Sequence, residues 1–322
     1  MELVSVSDST WVTFADSTTH AGFLRAVPLA QHPQPRWVVA GIAWDGATTN
    51  RPGARFGPGA IRQASHMLCD GTHPEWGVSP AADLADAGDL PLPSTSLSGM
   101  RAALAPLADA LVARHHMIWL GGDHSITLPL LQAYHRHHGR PLAVLHFDAH
   151  CDTWTDHFGE PSGHGTWVHE AVRDGLVDPT LFVQIGIRSP AVPATSNYIG
   201  ERGGLVFTGR ALRGRDSPQA LKEITGAIRA RLSGHPDVPL YLTLDIDCLD
   251  PAFAPGTGTP EPAGLSSHQV LTVLEELRDL PWIGMDLCEV APPYDHAQLT
   301  SAAAANFIWT YLCGQMLAKP RR

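Results

Sequence analysis

LAVLHFDAHCD, residues 142–152, is an apolar strand that runs into a row of metal-binding residue types. Leu142–Phe147 is short, apolar and free of glycine and proline, the pattern of a strand covered on both faces. Beyond it, Asp148, His150 and Asp152 are two residues apart, so an extended chain points all three to one side and turns Ala149 and Cys151 away. Two carboxylates and an imidazole crowded at the end of an apolar strand repel and desolvate one another unless a cation lies among them. Open parallel sheets bind their ligands beyond the carboxyl ends of the strands.

Two other apolar runs end in the same way. MIWL leads to Gly121-Gly122-Asp123-His124-Ser125, where the glycines permit a tight turn and His124 either caps a helix start or reaches a site. YLTL leads to Asp245-Ile246-Asp247-Cys248-Leu249-Asp250-Pro251, where Asp245 and Asp247 share a side and Asp250 sits where a residue orders a turn. Four aspartates and two histidines converging at one sheet edge balance the charge of two divalent cations. A set rich in oxygen with some imidazole suits manganese, whereas thiolate-rich sets suit zinc.

The rest of the chain supplies the frame. Strands are expected near Trp37–Ile42, Asp83–Ala87, Met117–Leu120, Leu142–Phe147, Leu181–Ile187, Leu205–Thr208, Leu240–Ile246 and Trp282–Leu287. Helical patterns fall at Ala60–Met67, Ser98–Arg114, Thr127–His138, Trp167–Asp174, Pro218–Leu232, Ser267–Leu277 and Ala302–Leu317. Strand and helix alternate, which gives an α/β fold, a mostly parallel sheet with helices on both faces. Residues 36–322 read as a single domain, and residues 1–35 as an N-terminal extension. His135, His137 and His138 precede Gly139, where cations suit the end of a helix rather than a metal.

Composition narrows the class. The 322 residues are 44% hydrophobic, enough for a large core, and carry a net charge of −10 with no basic block, so a nucleic-acid partner is not expected. No run is long enough to span a bilayer and the first residues lack a signal peptide's pattern. Five cysteines without CxxC spacing fit reduced thiols, so a cytoplasmic location is expected.

GGDHS, FDAHCD and DIDCLDP, in that order, resemble the ureohydrolase family of arginases and agmatinases. The resemblance extends from about Gly41 to Asn306 and includes Asn50–Pro58, His164-Gly165-Thr166, Gly186-Ile187-Arg188 and Glu289–Asp295. It implies a three-layer α/β/α fold with an eight-stranded sheet, and a homotrimer or homohexamer. It also implies two Mn2+ ions, one held by His124, Asp148, Asp152 and Asp245 and the other by Asp148, His150, Asp245 and Asp247. The implied reaction is hydrolysis of a guanidino compound to urea and an amine by hydroxide generated at the ion pair. Glu289 then holds the guanidinium by paired hydrogen bonds, His164 passes a proton to the departing amine, and Asp152 accepts a hydrogen bond from the nucleophile. The arginines of Asn50–Pro58 read as structural or interface residues.

The substrate's tail is read from the loop after Asp152. Arginases carry a polar residue, typically asparagine, two positions beyond that aspartate; here it is Trp154, which packs on an alkyl chain or over a cation. The departure points away from arginine and toward agmatine, whose ammonium Asp156 or Glu160 would attract. The alternative is a 4-guanidinobutyrase, with His157 as the basic group for its carboxylate. Formimidoylglutamate hydrolysis, a one-zinc deacetylase-like amidohydrolase and a non-catalytic binding protein are further alternatives; the last two conflict with the complete two-ion set of residues.

Overall fold

The computed structural model describes residues 22–318 except residues 33 and 236. Nine strands form one sheet: β1 (Val27–Pro28), β2 (Trp37–Gly41), β3 (Leu84–Asp89), β4 (His116–Leu120), β5 (Leu142–Phe147), β6 (Val177–Ile187), β7 (Leu205–Thr208), β8 (Leu240–Asp245) and β9 (Trp282–Cys288). Their order is β1-β3-β2-β4-β9-β8-β5-β6-β7, and every pairing is parallel. The eight strands expected from sequence are all present. The ninth, β1, is a two-residue edge strand paired to Ala85 and Asp86, too short to show a periodic pattern. It lies in the stretch read as an extension, where Phe23 and Leu24 are buried against the core.

Seven longer helices cover the sheet: α1 (Gly57–Ser65), α2 (Leu97–Val112), α3 (Thr127–His138), α4 (Trp167–Arg173), α5 (Pro218–Ser233), α6 (Ser267–Glu276) and α7 (Leu299–Leu317). The strand period of two sorts the core into two layers. Trp37, Val39, Ala143, Leu145 and Phe147 face a cluster with Ile61 of α1, Ile224 of α5, Val270 of α6 and Phe307 of α7. Val38, Ala40, Leu142 and Val144 face the other, with Leu104 of α2, Leu131 of α3 and Val168 of α4. The architecture is the expected three-layer sandwich.

Local signals set the helix ends. Ser266 and Gln269 form a reciprocal capping box at the start of α6, and α3 stops at Gly139 in the left-handed region (φ 66°), just after the histidines. α7 begins three residues earlier than the alanine run suggests because Asp295 accepts from the amides of Thr300 (2.8 Å) and Ser301 (2.9 Å). No helix among the described residues is long and apolar enough to cross a membrane.

Candidate metal centre and active site

The topology decides where the chemistry collects. β4, β9, β8 and β5 are consecutive in the sheet and all parallel, so their carboxyl ends open on the same edge. After β4 the chain turns at Gly122, where a Cβ would lie 1.6 Å from the Trp44 carbonyl oxygen, so only glycine fits. That turn presents Asp123 and His124; the other three strands present Glu289, the pair Asp245 and Asp247, and the segment Asp148–Asp152.

The six residues expected to bind metal meet. His124 Nδ1 lies 3.1 Å from Asp148 Oδ2, 3.2 Å from Asp152 Oδ2 and 3.3 Å from Asp245 Oδ2. His150 Nδ1 lies 3.2 Å from Asp148 Oδ1 and 3.1 Å from Asp247 Oδ2. Asp148 therefore sends one oxygen to each group. Strand parity alone does not achieve this, because β5 ends at Phe147. Asp152 reaches the first group through a left-handed backbone (φ 54°), with Trp167 Nε1 donating to its Oδ2 at 2.7 Å. Asp247 sits in a short 3-10 turn, its Oδ1 accepting from the Ala149 amide.

The electrostatics call for positive charge between these side chains. Burial and the neighbouring carboxylates push Asp245 well above the ordinary aspartate range, and burial and Asp148 push Asp247 up as well. His124 is driven well above the ordinary imidazole value, its three carboxylates outweighing burial. A chain of hydrogen bonds behind it fixes the ring. Thr243 Oγ1 donates to Asp286 Oδ1 (2.6 Å) and so accepts from His124 Nε2 (2.8 Å), which keeps a proton on Nε2 and aims Nδ1 at three carboxylate oxygens. Positive charge has to stand between Nδ1 and those oxygens, as a proton on the ring or as a metal ion that takes the proton's place. The donors are oxygens and imidazole nitrogens; the Cys288 thiol beside them is pushed well above the usual range by burial and Asp286, and Cys151 and Cys248 belong to neither ligand group. The residues thus fit two hard divalent cations.

Glu289 and His164 form the second half of the site. Glu289, fully buried at a left-handed position (φ 65°), accepts through Oε1 from the His124 amide and from His164 Nδ1, both at 2.9 Å. Among the described residues its Oε2 has no partner, a costly state for a buried carboxylate oxygen unless a ligand completes it. Burial pulls the His164 pKa down, but Glu289 and then Asp123 and Asp152 outweigh it and raise it to about 9. Asp123 accepts from the amides of Ala47 (2.8 Å) and Ser125 (3.0 Å), and burial and Glu289 raise its carboxyl to about 6. Asp123 shapes the turn rather than joining the ligand groups.

A cavity of about 690 Å³ opens over these groups; His150, Asp152, His164 and Asp245 line it, with Trp154, Asp156, Arg51 and Glu261. Trp154 and Asp156, expected at the substrate's tail, both line this cavity. Glu160 does not: it lines a separate groove, on a loop closed by backbone pairing between His157 and Glu160. His157 lines the cavity, but burial and then the nearby His164 lower its pKa, which makes it a poor cation.

Comparison with known proteins completes the picture. The arginase family model matches residues 35–314. The chain belongs to the arginase family. An agmatinase from Chromobacterium violaceum is 41% identical over 278 residues, 85% of this chain and 82% of that one. One from Cronobacter sakazakii is 42% identical over 295 residues, 88% and 90% of the two chains. A hypothetical agmatinase from Burkholderia thailandensis superposes with a TM-score of 0.83 at 38% identity, covering 94% and 92%. Proclavaminate amidino hydrolase from Streptomyces clavuligerus gives 0.82 at 36%, covering 92% and 98%. As a member of this family the chain is a metal-dependent hydrolase acting on guanidino compounds.

Agmatinases and proclavaminate amidino hydrolase share this frame, so selectivity has to be sought in the rim of the cavity. The motifs did not reveal the residues that hold the ligands in place. His146, on β5, sets Nε2 2.8 Å from Asp148 Oδ2, and Gln184 reaches its other nitrogen. Thr243, Asp286 and Trp167 support His124 and Asp152 from within or beside the core. A signal was present for His146, a histidine two residues before Asp148 and hence on its side of the strand. Nothing in sequence spacing links Trp167 to Asp152.

Proposed function

We propose that the chain hydrolyses agmatine to putrescine and urea with two Mn2+ ions, one held by His124, Asp148, Asp152 and Asp245 and the other by Asp148, His150, Asp245 and Asp247. The observation that carries this reading is Glu289 Oε2, without a partner among the described residues, beside the paired ligand groups. When bound, the ion pair would lower the pKa of a water enough to supply the attacking oxygen near neutral pH. Glu289 orients the guanidinium, whose N–H groups complete its carboxylate. His164, within hydrogen-bond distance of Glu289, passes a proton to the amine nitrogen as its bond to carbon breaks. The guanidinium and one water become neutral urea and an ammonium, so charge is conserved. Trp154 packs on the alkyl chain, and Asp156 attracts the far ammonium. The similarity to agmatinases supports this substrate.

One observation favours 4-guanidinobutyrate instead. Arg51 lines the cavity with its guanidinium 5.3 Å from the Tyr294 ring centre, and among the described residues no carboxylate pairs with it. Purified, manganese-loaded enzyme offered agmatine, 4-guanidinobutyrate, 3-guanidinopropionate and arginine tests the choice. Agmatine is expected to give the highest kcat/KM; far more urea from 4-guanidinobutyrate would replace the agmatine reading with the second. A homotrimer or homohexamer in the cytoplasm is part of this proposal, and sedimentation of the purified protein checks the assembly.

A further inference from the structure

Resting on the reading of His164 as the proton carrier, we propose that Thr49 is a positioning residue that holds the His164 ring in place in both of its protonation states. Thr49 Oγ1 lies 2.8 Å from His164 Nε2, and the Thr49 amide nitrogen is 3.2 Å from the same atom. On the opposite edge Nδ1 meets Glu289 Oε1 at 2.9 Å, so without substrate the ring is gripped at both nitrogens, and in turnover the departing amine shares Nε2–H with Thr49 Oγ1.

The two contacts from Thr49 differ in kind. An amide N–H only donates, so it serves the neutral ring alone, with the proton on Nδ1 toward Glu289. A hydroxyl donates to Nε2 of the neutral imidazole and accepts from Nε2–H of the imidazolium by turning about its C–O bond. A ring that gains and loses a proton during each turnover needs a neighbour able to follow it, and Thr49 Oγ1 is that neighbour.

The segment carrying Thr49 is itself fixed. Asp123 Oδ2 accepts from the Ala47 amide at 2.8 Å and Asp45 Oδ2 from the Gly53 amide at 2.7 Å, while Asn50 Nδ2 donates to the Gly258 carbonyl at 2.9 Å. The hydroxyl is thus presented to the ring by a braced turn. This also gives a use to the first residues of the Asn50–Pro58 region: the turn that begins it places Thr49 over the site.

The test compares Thr49→Val, which keeps shape and amide but loses the hydroxyl, with Thr49→Ser, each alone and with His164→Ala, in the full manganese-loaded chain on agmatine. Loss of one hydrogen bond that matters in turnover predicts a kcat roughly three- to ten-fold lower for Thr49→Val, with KM changed by less than about two-fold. Thr49→Ser is expected to restore kcat to within about two-fold, and in the His164→Ala background Thr49→Val is expected to add nothing, as coupling through one partner requires. Thermal midpoints read alongside show whether the turn is intact. Unchanged kcat in Thr49→Val, equal impairment of the serine variant, or a valine effect that persists without His164 each overturns the role of Thr49 alone. Full turnover by His164→Ala overturns the role of His164 and that of Thr49 with it.

Discussion

Replacing Glu289 by glutamine tests the guanidinium-binding step with little change of shape. Oε1 already accepts from the His124 amide and His164 Nδ1. The amide oxygen of the introduced glutamine would occupy that position, because its NH2 cannot accept from two donors. The NH2 is then forced to the place of Oε2, the oxygen with no partner among the described residues. There it points N–H groups at a guanidinium that has only N–H groups to offer, and the negative charge is gone. Breaking a buried ion pair of this kind costs about 3–5 kcal/mol. At about 1.4 kcal/mol per decade, kcat/KM should fall by two to four orders of magnitude. Urea release under steady-state conditions reads this, and competition by guanidinium ion against substrate separates binding from turnover. Folding should be nearly unaffected, within about 1 kcal/mol, since both donors to Oε1 keep an acceptor. A glutamine variant that holds kcat/KM within about ten-fold of the native enzyme would refute the assignment of Oε2 as the substrate's acceptor.

Four further outcomes follow from the same geometry. Asp148→Asn removes the charge shared by both ligand groups, so urea release should be abolished and bound metal, counted by atomic absorption after dialysis, should fall for both ions. Thr243→Val cuts the link from Asp286 to His124 without touching a ligand, and metal titration should show about 10–100-fold weaker binding of one ion. Trp167→Phe keeps the bulk but loses the hydrogen bond to Asp152, so metal content should hold better than in Asp148→Asn while kcat drops. Arg62→Met strands Asp86, now 2.8 Å from Arg62 Nε in the core, and should cost about 3–5 kcal/mol in denaturant unfolding with no change in the metal content of the folded fraction.

What the amino-acid pattern made legible was whatever is local. The apolar runs of β5 and β8 and the acids that follow them could be read directly, because strand burial and strand ends leave marks within a dozen residues. That those ends lie side by side could not be read from spacing. β5 neighbours β8, nearly a hundred residues later; the habit of parallel sheets to gather ligands at their carboxyl ends suggested that the three motifs meet, and the resemblance to a family specified how. Parity picked out side chains that do meet, but for an incomplete reason, since Asp152 arrives by a left-handed turn and not along an extended strand. Glu160 shows the limit: it lines a separate groove on a loop closed by its own backbone pairing, and no period describes that loop. Edge strand β1 was missed because two residues carry no alternation.

The order β4-β9-β8-β5 also has a consequence for how such a protein can change. The acids and imidazoles are moored to four neighbouring strands in the middle of the molecule, whereas the mouth of the cavity is drawn from separate loops around Asn50, Trp154 and Glu261. Exchanging one of those loops would alter which molecule is admitted while leaving the cation-holding groups where they are. The same engine can therefore be retuned from one guanidine-bearing metabolite to another by editing its doorway.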